Sequence, residues 1–109
     1  MSKVVDVSEF IADFFGECFE IQTKKRHDYT GSHHPLYNYE KSGEVVGIST
    51  GQAMLSRMQE KVIRLSLALE GNELQVSDES FRDTCKDISI LAALIAYWKD
   101  ISNWNDHTG

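Results

Sequence analysis

Basic charge is scarce in this chain. Eleven Lys and Arg stand against 17 Asp and Glu, for a formal net charge of −6 at pH 7. A protein so charged is repelled as a whole by a phosphate backbone, which argues against duplex nucleic acid as a partner, although a local basic patch still suits a small phosphate ligand. Proline occurs once, at Pro35, and cysteine twice, at Cys18 and Cys85, with no CxxC spacing. Both cysteines fall at predicted helical positions, where they read as reduced core residues rather than a disulfide or a zinc site. No apolar run reaches the length of a membrane span, and the start Met1-Ser2-Lys3-Val4-Val5-Asp6 has no signal-peptide core. A soluble, cytoplasmic protein with no membrane partner is therefore expected. A GxxxxGK[ST] phosphate loop and a GxSxG nucleophile elbow are also missing.

What is present is an ordinary globular composition, 41% hydrophobic and 26% charged over 109 residues, which suits one domain spanning 1–109. Apolar periodicity predicts an all-α protein, a small bundle of three main helices. The first runs from about Ser8 to Lys25, carrying Phe10, Ile11, Phe14, Phe15, Cys18, Phe19 and Ile21. The second runs from about Gly51 to Glu70 and stops at Gly71-Asn72, a left-handed helix stop. The third starts after Ser77, with acids in its first turn that complement the helix dipole, and ends near Lys99 or Ile101. Residues 26–50 read as a long loop holding Pro35, three of the four histidines and three of the four tyrosines. Connections of that length are usually functional. The tail 103–109 is expected to fray, with Trp104 able to pack back. The third helix is apolar nearly all round from Ile88 to Trp98, more than a monomer of this size can bury, so a homodimer or higher symmetric oligomer is expected to complete the bundle.

Chemistry concentrates on two stripes. Glu79, Asp83 and Asp87 recur at i, i+4 and i+8 on one face of the third helix, and the stripe continues as Ile90, Leu94 and Tyr97. Like charges at that spacing repel, so a cation is expected opposite them: a divalent metal, basic side chains or both. Arg57, Lys61 and Arg64 form a matching basic stripe on the second helix, between apolar flanks. Two readings stay open. The stripes pair across a helix–helix contact, or they meet around a phosphate and its Mg²⁺, a hard ion that prefers oxygen ligands.

The first helix adds Glu17 and Glu20, read either as rim residues or as further metal ligands. Lys24-Lys25-Arg26-His27-Asp28-Tyr29 follows, placing cations, an imidazole and an aromatic ring at the mouth of the same groove. Tyr29, Tyr37 and Tyr39 suit either base stacking or anchoring of the loop to the core. The pair His33-His34 reads as a solvated loop dipeptide.

Three ordered blocks resemble a known group. Lys25-x-x-Asp28-Tyr29, Arg57-x-x-x-Lys61-x-x-Arg64-Leu65 and Asp78-Glu79-Ser80-x-x-Asp83-Thr84-x-x-Asp87 resemble the nucleotide-modification-associated domains of the first type, from phages and bacteria. The resemblance covers about Phe14 to Tyr97, with Glu60 where the group has Asp. That group looks distantly like the all-α nucleoside triphosphate pyrophosphohydrolases of the MazG type. The resemblance implies a helical bundle that dimerises or assembles further, with acids of two helices holding Mg²⁺ against a nucleotide's phosphates. Glu17-x-x-Glu20 matches the first ligand pair by spacing, whereas Glu79, Asp83 and Asp87 are spaced by four where the enzymes use three.

The mechanism so implied gives Glu17, Glu20, Asp83 and Asp87 as Mg²⁺ ligands and Glu79 and Asp83 as catalytic acids. Lys25, Tyr29, Arg57, Lys61 and Arg64 would bind an NTP or dNTP, cleaved by water between the α- and β-phosphorus atoms. Two other classes fit the same residues: a non-catalytic nucleotide sponge or sensor, and a phage protein–protein inhibitor that mimics nucleic-acid charge.

Overall fold

The structure is a computed structural model that describes the backbone of residues 6–25, 34–71 and 78–108 and the side chains of 6–24, 34–71 and 80–102. Four helices make up the described chain: α1 (Val7–Lys25), α2 (Tyr37–Val46), α3 (Thr50–Leu69) and α4 (Asp78–Thr108). The all-α expectation holds, with one helix more than the periodicity indicates. Part of the expected 26–50 loop is α2, and α4 continues through the expected frayed tail to Thr108.

The helix ends follow from local chemistry. Ser49 and Gln52 form a reciprocal capping box at the start of α3: the Ser49 hydroxyl accepts the Gln52 N–H at 3.1 Å, and the Gln52 side-chain oxygen accepts the Ser49 N–H at 2.9 Å. At the start of α2, His34 Nδ1 accepts the Leu36 N–H at 3.2 Å, while Nε2 lies 2.5 Å from Glu40 Oε1. Gly47 ends α2 in the left-handed region (φ 76°), donating its N–H to the Gly43 carbonyl at 2.8 Å. Gly71 has the same conformation just past α3 (φ 74°), at the stop expected there.

Helix α4 is the spine. Both α1 and α3 pack against it, and α2 packs against α3. The core is Leu36, Met54 and Leu91, one residue from each of three successive parts of the chain, surrounded by Tyr39, Met58, Leu94, Ile95 and Trp98. Gly51 permits the tight α3–α4 crossing, since a Cβ there would overlap the Trp98 ring. Cys18 is buried where α1 meets α4, its thiol pointing at the Lys86 carbonyl. Burial pushes that thiol up from its ordinary range, so it packs rather than reacts.

The second half of α4 is not enclosed. Leu91 is buried, but Ala92, Ala93, Ala96 and Tyr97 face outward. The molecule measures 58 × 30 × 26 Å, with a radius of gyration of 16.4 Å. A compact domain of this length has a radius of about 13 Å.

Candidate functional site

All four helices contribute to one polar cleft of about 120 Å³. Helix α3 supplies Arg57 and Lys61 from successive turns, and α4 supplies Asp87 above an apolar floor of Ile90, Leu91 and Leu94. Gln22 enters from α1 and Tyr39 from α2. Lys61 Nζ lies 3.2 Å from Asp87 Oδ2, with both side chains largely shielded from solvent. This is the cross-helix pairing of the acidic and basic stripes that the sequence suggests, realised at one of its positions. Arg57 bonds to Glu60 on its own helix at 3.3 Å and remains half-exposed, so its guanidinium can turn to a ligand at little cost. Arg64 is exposed one turn beyond Lys61. Burial raises the Tyr39 hydroxyl above its ordinary pKa, with Arg57 opposing and Asp87 reinforcing the shift, so Tyr39 stays a neutral donor at physiological pH.

The acids separate into two places. Asp87 lies in the cleft, whereas Asp83 is exposed beside the α1–α4 junction. There the Lys86 ammonium, on a buried side chain, bonds tightly to the Glu17 carboxylate and approaches Asp83 at 3.9 Å. The same hydrogen bond holds Glu17 below and Lys86 above their ordinary pKa values, with burial opposing both shifts. Glu17 and Asp83, from two helices, thus meet at one cationic centre, and the cation there is a lysine. Glu20 is exposed on α1, about 200° round the helix from the buried Cys18. Among the described residues no three His, Cys, Asp or Glu side chains converge in a metal-binding group. The side chains of Lys25 and Glu79, together with Tyr29, His33 and Trp104, lie outside the described residues.

Of the site residues expected from the sequence, Arg57, Lys61 and Asp87 therefore share a cleft, while Glu17 and Asp83 share Lys86. Gln22 and Lys86 escape the sequence reading. Lys86 is a cation at i+3 from Asp83 within an acid-rich run, a spacing that signals a local partner. Among the described residues no helix is long and apolar enough to cross a membrane. No family model, no curated protein and no solved structure matches this chain.

Proposed function

We propose that the protein binds a nucleotide in the cleft between α3 and α4. One observation carries this reading: cations, neutral hydrogen-bonding groups and an apolar floor converge on a single cavity built from all four helices. Its 120 Å³ holds roughly four waters, so it takes one end of a ligand and leaves the rest on the rim. The heterocyclic end suits the interior. Tyr39 offers a ring, Gln22 an amide, and Asp87 an acceptor for an amino or hydroxyl group. The phosphates suit the outer edge, where Arg57 is half-exposed and Arg64 follows on the same face. The resemblance to nucleotide-modification-associated domains of phages and bacteria adds Lys25 and Tyr29 to the residues proposed to bind the ligand; Tyr29 and the Lys25 side chain lie outside the described residues. Nucleotide metabolism in the bacterial cytoplasm is the setting that resemblance supports. Binding alone, as a sponge or sensor, needs only these groups. The test is calorimetric titration with a panel of NTPs and dNTPs, repeated on Arg57→Ala.

A second reading, Mg²⁺-dependent pyrophosphohydrolysis, is favoured by the meeting of Glu17 and Asp83 at one cationic centre. Their oxygens suit a hard divalent ion. A bound Mg²⁺ would supply charge neutralisation at the phosphates and a more acidic water. For this chain the reading requires that Lys86 withdraw from Glu17. Release of pyrophosphate that Asp83→Asn abolishes, with the fold retained, supports it; equal release by that variant refutes it.

A further inference from the structure

We propose that the outer flank of α1, with the trough beside it on α4, is the surface on which a second copy of this chain docks. The apolar face of α1 is too wide for one neighbour. Cys18, Phe14 and Ile21 turn toward α4, while Ile11, Phe15 and Phe19 occupy a further arc of about 80°. Among the described residues, the helix against which α1 packs is α4, which leaves that arc open. Phe15 is 55% exposed and Phe19 73%.

Two cavities lie directly alongside. One, of about 260 Å³, lies between Phe15 and Phe19 on one side and Ile90 and Ala93 on the other. The next, of about 340 Å³, runs from Phe19 to Pro35 and the half-exposed Tyr97. Phe19, Gln22 and Leu94 line both, so the two form one continuous trough. Its polar lining is Gln22, Thr23 and Ser89, none of them charged.

The occupant follows from shape and area. A two-fold contact uses the same patch on both copies, so that patch must carry its own projections and its own hollows. Here the projecting rings of Phe15 and Phe19 stand next to hollows open enough to receive a ring. At about 200 Å² for each large side chain, Ile11, Phe15, Phe19 and Tyr97 leave roughly 450 Å² exposed. A homodimer interface of standard size needs about that much apolar area from each partner. An uncharged lining offers nothing to select a charged peptide or a lipid headgroup. The elongated shape is also that of a half-assembly, since pairing along α1 thickens the narrow dimensions of a 58 × 30 × 26 Å molecule.

This inference stands apart from the nucleotide reading, although Gln22 and Leu94 line both the trough and the cleft. Sedimentation equilibrium without nucleotide tests it, at tens of micromolar protein. The unaltered chain should weigh two copies of 12.4 kDa. Phe19→Glu, which charges a projecting ring, and Ala93→Arg, which fills a hollow, should each give the single-chain mass with unchanged helical circular dichroism. Val45→Glu, on the exposed side of α2, should remain a dimer. A single-chain mass for the unaltered protein overturns the proposal, whatever else then fills the trough. So does a dimer that survives both Phe19→Glu and Ala93→Arg, or one that Val45→Glu dissociates.

Discussion

The Lys86 ammonium bonds to the Glu17 carboxylate across the junction of α4 and α1. Arg82 lies over the Phe10 ring at the near end of that junction, and Gln22 approaches Leu94 at the far end, so the two helices run parallel. The pair sits midway along an attachment that is otherwise narrow.

The first prediction concerns pH. Glu17 is held below its ordinary 4.5, so its contribution to stability is present above that value and is lost as pH falls through the folded pKa. Lys86 is held above its ordinary 10.5, so its contribution is present below that value and is lost as pH rises through the folded pKa. Between these limits the junction is at full strength. Thermal unfolding followed by circular dichroism should give a midpoint that drops on acidification below 4.5. Glu17→Gln should unfold at a lower temperature at neutral pH and lose less over the same acid interval. Glu17→Gln should also cost more than Lys86→Met, because it leaves the Lys86 ammonium with the more distant Asp83 as its remaining described partner, whereas Lys86→Met leaves a half-exposed carboxylate that water solvates.

Gly51 offers a packing test. A methyl group there would overlap the Trp98 ring, so Gly51→Ala should destabilise the protein by about 1–3 kcal/mol despite its better helix propensity. Urea titration measures the loss. Adding Trp98→Leu should recover part of it, because the obstructing ring is gone.

The capping box at Ser49 is local and separable. Ser49→Ala removes the acceptor for the Gln52 N–H and should cost about 1 kcal/mol in the same titration, with no change in ligand affinity.

The cleft gives a functional test. Arg57→Ala and Lys61→Met should each weaken nucleotide binding by roughly 10- to 100-fold, the range for one charge-assisted hydrogen bond. Tyr39→Phe keeps the ring and removes the hydroxyl, so it should weaken binding less than either.

Long apolar periodicity made α1, α3 and α4 readable, because each buries a repeating face over several turns. Helix α2 carries little such signal. It has ten residues, of which only Gly43, with no side chain, is buried, flanked inward by the half-buried Tyr39 and the N-cap Leu36. Gly43 is nonetheless required by its surroundings, since a Cβ there would lie 2.7 Å from the Ile48 carbonyl oxygen. The need for a cation opposite the acids was also readable, and so was the stripe that supplies it to Asp87, through Lys61; that Lys86 serves Glu17 and Asp83 was not. Whether Lys61, Arg64 or Lys86 meets a given acid depends on helix crossing and rotation, which periodicity does not encode. Gln22 joins the cleft for the same reason, as an uncharged residue on a helix from the other side of the groove.

The central claim is that the α3–α4 cleft binds a nucleotide. Calorimetric titration of the nucleotide panel with and without Mg²⁺, on the unaltered chain and on Arg57→Ala and Lys61→Met, tests it most directly. The account predicts saturable binding of at least one nucleotide, weakened by both substitutions while the fold is retained. Failure of every nucleotide to bind, or binding that neither substitution changes, would contradict it.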